Sequence, residues 1–364
     1  MKAEKKDLLK VSVLSGMGGM LEFYDFILYM LFSSQIAAAF FADIQSLMVK
    51  NLIVIAVFSI AYILRPIGGF LIGWMGDNIG RKKSFSFTIL LMGACVFLMG
   101  VMPTYAQIGL AAPILFIALR IVQGLALGGE LPGAIVFVYE SVEKKGVALG
   151  IVFGMVFCGF LLGDIMSIVI HGIFGEYAWR AAFISGSVVA FIGFYIRQRL
   201  HETMMFKTLE QKQRFPLAVL LKEHLRAQIG AIFCVILVAF DGVMVLLYLP
   251  KYLITHLHYG GDMLSLIVIT SSVVNVVILF LASWATDYIN YRRLYTITAA
   301  LLIILSYPAF VLINQGQFIS LLIGMLIISA FPSIITGIFM RILCESFPTA
   351  IRFSGVAIPK LVNY

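Results

Sequence analysis

Apolar runs of membrane-crossing length follow one another along almost the whole chain, at approximately 13–40, 51–75, 84–102, 108–139, 147–171, 180–200, 227–254, 263–284, 294–313 and 318–340; an eleventh begins near Ser354 and reaches Tyr364. Roughly 20 apolar residues, rising about 1.5 Å each as a helix, cross the hydrocarbon of a bilayer. The runs are continuous and rich in Leu, Ile, Phe, Gly and Met. A membrane β-barrel would instead show alternating segments of about 10 residues, so the pattern predicts helices. The polar segment Gly73–Lys83, GWMGDNIGRKK, is tied between the second and third runs and therefore lies at a membrane surface. Its glycines allow a tight reversal, Asp77 has Arg81 or a helix N-terminus as a partner, and Arg81, Lys82 and Lys83 favour the cytoplasmic side.

Composition agrees with the pattern: of 364 residues, 62% are hydrophobic and 12% charged, against about 25% charged in an ordinary soluble domain. The net charge of +8 is explained by position. With the N-terminus inside, the cations gather in the cytoplasmic segments, while the opposite loops offer Lys50, Arg180 and Lys251. The basic excess is thus topological and implies no nucleic-acid partner. The charged N-terminus and the long first run with acidic residues inside it do not form a cleavable signal sequence. Cys95, Cys158, Cys234 and Cys344 stand singly in or beside apolar runs, which implies neither a disulfide framework nor a metal site. Nothing in the chain calls for a cofactor.

The polar stretch Arg197–Arg226 divides six runs from the rest and predicts two bundles, 1–200 and an incomplete 227–364, joined by a cytoplasmic linker at 201–226. Pro216 sits at the first turn of a short surface helix in that linker. A weak internal repeat supports the division. Asp77, Gly80, Lys82 and Lys83 are echoed by Asp287, Arg292 and Arg293, with Asn290 in place of the glycine; Glu140 is echoed by Glu345. Half-molecules related by an axis along the membrane normal place a substrate between them, near the midplane.

Five segments carry a resemblance: GGMLEFYDF (Gly18–Phe26), RPIGGFLIGWMGDNIGRKK (Arg65–Lys83), RIVQGLALGGELPGA (Arg120–Ala134), WRAAFISG (Trp179–Gly186) and ESFPTAIRFSG (Glu345–Gly355). In that order and at those run ends, the chain resembles the metabolite:H⁺ symporter family of the major facilitator superfamily. The resemblance implies an all-α polytopic membrane protein of two six-helix halves, of which this chain covers about ten helices and the start of an eleventh. It implies uptake of a small polar or anionic metabolite, of the proline, betaine, shikimate, citrate or 2-oxoglutarate kind, driven by proton entry across the inner or plasma membrane. Twelve helices are expected in such a transporter, and Pro359 and Lys360 stand where an eleventh would continue, so the tail is either truncated or diverged. The family's hinge Asp, here Asp77, leans on the start of helix 11, and Gly73, Asp77, Gly80, Arg81, Lys82, Asp287 and Arg292 are the expected gating residues.

A charge inside hydrocarbon is costly, which makes intramembrane ionisable residues functional candidates. Glu22 and Asp25 are three apart and share a helix face with Tyr29, and with Glu130 they are the candidate proton-coupling carboxylates. Asp25 and Arg120 resemble the acid and arginine of proton-coupled sugar porters: protonation of Asp25 would release Arg120 to an anionic substrate group. The alternative is a permanent brace between helices. Arg120, Arg65, Tyr24, Tyr29 and Asp241 are the candidate substrate contacts, each with a packing or snorkelling alternative. Asp164 follows the glycine ladder Gly150, Gly154, Gly159 and Gly163, whose spacing suits close helix contact. The partners expected are protons, a small metabolite and the lipid bilayer; the pattern implies no particular oligomeric state. A proton-independent facilitator, or a non-transporting receptor or remnant, is the alternative reading. No metal-spaced histidines or nucleophile elbow supports an enzyme.

Overall fold

The computed structural model of the chain describes residues 2–210, 213–241, 244, 248–257, 261–315 and 317–359, with the side chains of 2–7, 47, 51, 240, 241, 250, 261–269 and 272 outside the described set. Regular structure among these residues is helical: α1 (Lys2–Leu31), α2 (Ser33–Phe40), α3 (Leu47–Ile63), α4 (Arg65–Asn78), α5 (Arg81–Val101), α6 (Tyr105–Ile108), α7 (Ala111–Ser141), α8 (Lys145–Phe174), α9 (Ala178–Arg197), α10 (Met204–Lys207), α11 (Pro216–Glu223), α12 (Leu225–Asp241), α13 (Leu249–Thr255), α14 (Gly261–Ala285), α15 (Tyr291–Ile313), α16 (Phe318–Glu345) and α17 (Arg352–Ala357). Among the described residues, seven apolar helical stretches are long enough to cross a membrane, and one of them, Lys145–Arg197, is the pair α8 and α9.

Three predicted runs are broken. The run at 51–75 divides at Leu64 because Pro66 has no N–H for the carbonyl four residues back, and the helix restarts with that proline in its first turn. The run at 13–40 divides at Phe32, where the ladder is kept by Phe32 N–H to Leu28 O (2.9 Å) and Ile36 N–H to Phe32 O (2.9 Å). The run at 227–254 yields α12 and, with Pro250 in its first turn, α13.

Around α1 gather α7, α8 and α9, while α5 packs on α7 and α9, and α7 also takes α3 and α4. In the second part α16 is the hub, packed by α12, α14 and α15. The two sets meet where α8 runs beside α14 and where α17 lies on α4 and α7. Small residues set these distances, as expected where lipid supplies no hydrophobic drive. A methyl on Gly124 would come within 2.7 Å of Ala61 Cα, and one on Gly68 within 2.7 Å of Leu125 Cα. The glycine ladder of α8 serves two partners: Gly159 and Gly163 face α1, whereas Gly150 lies against Ser283 of α14.

Candidate functional site

Asp25 on α1 meets Arg120 on α7 in the buried interior of the first bundle. Arg120 Nη1 donates to Asp25 Oδ2 at 2.9 Å and to Gln123 Oε1 at 2.7 Å, and Gln123 Nε2 donates to the same Asp25 oxygen at 3.1 Å. The guanidinium lies 4.0 Å from the centre of the Tyr29 ring, with Phe116 and Phe183 farther out. Asp25 Oδ1 and Arg120 Nε and Nη2 are buried and have no hydrogen-bond partner among the described residues. One oxygen of the carboxylate therefore carries both bonds. Tyr24 and Tyr29 are buried beside this pair, the first bonded to Ser185 Oγ (2.7 Å) and the second to Val54 O (3.0 Å).

Three residues earlier on α1, Glu22 pairs with Arg65 at 2.8 Å; both are buried, although Arg65 begins α4. The Arg65 guanidinium stacks 4.0 Å from the centre of the Tyr62 ring. Tyr62 is one member of a half-buried aromatic surface: Phe26 touches Phe58 (5.1 Å), Tyr62 (6.1 Å) and Phe160 (6.2 Å), and Phe160 touches Phe23 (4.6 Å) and Phe157 (6.4 Å). α1 contributes two of these rings, α3 two and α8 two.

Glu130 has a different environment. Oε1 accepts from Arg197 Nη2 at 2.6 Å, and Oε2 accepts from the Thr88 hydroxyl in a short hydrogen bond. Arg197 also donates to Phe85 O (2.8 Å) and lies 3.5 Å from the centre of the Phe85 ring. Both carboxylate oxygens are engaged and the residue is fully buried. The side chain of Asp241 lies outside the described residues.

At one end of the molecule the residues expected to gate form two carboxylate-on-helix contacts. Asp77 accepts from Phe353 N (3.0 Å) and Ser354 N (2.9 Å) at the start of α17, and from Arg81 Nη1 (2.6 Å). Arg81 continues to Glu140 (3.2 Å), which also receives Arg352 (2.7 Å) and Thr203 Oγ1 (2.9 Å). Gly73 leaves room for α17: a methyl there would meet Ser354 Cα at 3.0 Å. In the second contact Asp287 accepts from Gly146 N (2.8 Å) and Val147 N (3.0 Å) in the first turn of α8, with Arg341 at 3.1 Å. Arg341 in turn pairs with Glu345 (2.9 Å), which accepts from the Tyr291 hydroxyl. Gly80 adopts φ +140°, a left-handed value that favours glycine, whereas Asn290 has φ −69° and caps α15 through Arg293 N at 3.2 Å. Lys82 is held by Glu202 at its backbone N–H (3.2 Å) and by Gln198 O at its ammonium (2.7 Å), while Arg292 is exposed.

The sequence profile of the Major Facilitator Superfamily matches residues 16–358. The chain belongs to this superfamily. It is 32% identical over 370 residues to the proline/betaine transporter of Salmonella typhimurium, covering 96% of this chain and 74% of that one. The glycine betaine/proline/ectoine/pipecolic acid transporter OusA of Dickeya dadantii is 30% identical, with the same coverage. The proton:xylose symporter XylE shares the fold at a TM-score of 0.78 and 19% identity, over 99% of this chain and 86% of that structure. The protein is thus a secondary transporter of the inner or plasma membrane and not an enzyme.

Several residues at these sites carry no obvious sequence signal. Gln123 closes the Asp25–Arg120 ring, yet its only mark is its position three after Arg120. Arg197 reads as the first cation of the linker, although it is fully buried against Glu130; the sign is that it ends an unbroken apolar run, with Arg199 and His201 beyond it.

Proposed function

We propose that this transporter is a proton-coupled symporter of a small zwitterionic metabolite of the betaine or proline class. It works by alternating access between an N-terminal bundle (1–200) and a C-terminal bundle (from 227), joined by the linker 201–226 and with the N-terminus cytoplasmic. The substrate class comes from the named relatives. The observation that carries proton coupling is the uneven bonding of Asp25. A permanent brace is expected to satisfy its polar atoms, as Glu130 and Arg197 largely do, because a buried group without a partner costs about 1–3 kcal/mol. Asp25 and Arg120 instead leave one carboxylate oxygen and two guanidinium nitrogens without a partner among the described residues, the condition of a pair that exchanges its proton and its partner.

In this mechanism, protonation of Asp25 removes the charge that holds Arg120. Gln123 keeps one hydrogen bond to each residue through the exchange, so that neither is stranded in an apolar interior. Three rings surround Arg120 but one lies beside Arg65, so the arginine that receives the substrate carboxylate is Arg65, at the border of the half-buried aromatic surface, and it must share or exchange its Glu22 partner to do so. Glu130 is then a brace.

The test is uptake of labelled glycine betaine into proteoliposomes with an imposed pH gradient. Wild-type protein accumulates it and loses accumulation with a protonophore. Asp25→Asn abolishes gradient-driven accumulation while preserving exchange. Accumulation that survives both treatments refutes proton coupling, and equilibration without concentration identifies a facilitator.

A further inference from the structure

Asp164 lies within α8, and nothing in the hinge or the coupling pair uses it. It is ten residues before Phe174, so about 15 Å of helix separates it from that end. It is exposed and has no ion-pair partner among the described residues. A carboxylate at that depth is expensive if it faces lipid, and the helical phase of α8 shows where it faces. Gly159 and Gly163 are the α1 side, the latter level with Ile27 Cβ (2.9 Å from a methyl placed there) and Tyr24 O (3.4 Å). Phe153 meets Phe339 of α16, and Gly150 meets Phe280 of α14. Asp164 follows Phe160 by four residues and Phe157 by seven, which sets it on their face. Phe153, seven before Phe160 and eleven before Asp164, is on the same stripe, so this face is the one turned to the second bundle, about a quarter-turn from the α1 side. Asp164 thus rises from the aromatic surface at the level of Asp25 and Phe26, opposite in charge to Arg65 at the other border of the same surface.

We infer that Asp164, with the rings of Phe160 and Phe26, is the subsite for the alkylated ammonium group of the substrate. The inference rests on the zwitterion reading of the preceding section and adds the residue that selects the positive end. Aromatic faces attract a quaternary ammonium through their quadrupoles, and a carboxylate beside them adds the opposite charge without requiring a hydrogen-bond donor, which such a group lacks. Under this assignment the cation of a zwitterion lies on Phe160 and Phe26 near Asp164, and its carboxylate points to Arg65.

Calorimetric titration of purified protein in nanodiscs tests this with two probes of one shape. Glycine betaine carries the ammonium, and 3,3-dimethylbutanoate replaces that nitrogen with carbon. Wild type is expected to prefer glycine betaine. Asp164→Asn lowers that preference by about tenfold while leaving 3,3-dimethylbutanoate binding unchanged, and Asp164→Glu restores it. Phe160→Leu weakens glycine betaine selectively, and thermal unfolding confirms that each variant is folded. If folded Asp164→Asn keeps the full preference, the subsite assignment is overturned while the transport reading stands. If wild type binds neither probe, the zwitterion reading falls and this assignment with it.

Discussion

Replacing Asp77 with Asn tests whether the hinge contact holds one conformation. The carboxylate is fully buried and receives two backbone N–H groups of α17 together with Arg81. Hydrogen bonds to an ionised group contribute about 1.5–3 kcal/mol each, so the two from α17 amount to about 3–6 kcal/mol. The helix N-terminus they cap also favours a negative charge. Asparagine keeps the shape, and Arg81 retains Glu140, Gly76 O and Thr349 O, so the lower figure is the appropriate one. About 3 kcal/mol shifts a two-state equilibrium by about 100-fold. Spin labels at Lys83→Cys and Arg293→Cys, both exposed at the hinge end, report the separation of the bundles by pulsed dipolar spectroscopy. Asp77→Asn should convert a short-distance distribution into one dominated by a longer distance. An unchanged distribution in a folded Asp77→Asn protein would show that these bonds do not set the hinge equilibrium.

Two further outcomes follow from other contacts of the structure. Glu130→Gln leaves Arg197 buried without its counter-charge, which costs about 3–5 kcal/mol for an interior pair; the unfolding midpoint in detergent should fall, and the double replacement Glu130→Gln with Arg197→Met should recover most of the loss. Gly80→Ala imposes a side chain at φ +140° and brings its methyl within 2.5 Å of Glu202 Oε2, at a cost of about 1–3 kcal/mol. It should lower the same midpoint, whereas Asn290→Ala should lose only the cap at the start of α15.

The membrane helices are legible in the sequence because lipid requires each segment to satisfy its own backbone, which demands long uninterrupted apolar runs. The break at Leu64 is also written there, in Pro66. The hinge is legible for the same reason, since its charges stand out against the runs on either side. Side-chain direction is not, because a segment apolar all round has no periodicity from which to read a face. Glu22, Asp25 and Glu130 look alike as acids in apolar runs, yet one pairs with Arg65, one shares a single oxygen with two donors, and one is saturated. The repeat between Gly80 and Asn290 misleads in detail, because only the first turn takes a left-handed backbone. Asp164 stands out in the sequence as an acid after a glycine ladder, but its side of α8 emerges only when Gly163 is found against α1.

Under the proposed alternating access, the two carboxylate-on-helix contacts and the membrane interior belong to one equilibrium. Asp77 and Asp287 each accept from two consecutive N–H groups, in networks that share no residue: Arg81, Glu140 and Arg352 serve one, Arg341, Glu345 and Tyr291 the other. Arg352 of the first network and Lys145, which opens α8, both lie over the Tyr139 ring, so the networks are neighbours and do not simply add; four such bonds set an upper bound of about 6–12 kcal/mol of gross closure at this end. A transporter that alternates keeps its two states within a few kcal/mol of each other, and a ligand shifts them only by its differential affinity. Water returning to the opened hinge offsets part of the closure energy, and contacts formed at the far end must offset more. Under the proposed mechanism the remainder is the share left to substrate and proton, and the half-satisfied Asp25–Arg120 pair is a place where the membrane interior can supply it. Its Oδ1, Nε and Nη2 atoms, without a partner among the described residues, leave that interior short of full bonding while the hinge is closed. Any rearrangement that satisfies them therefore favours opening. Weakening a hinge contact and neutralising Asp25 should accordingly be non-additive in transport despite the distance between them, because both act on the same two-state equilibrium.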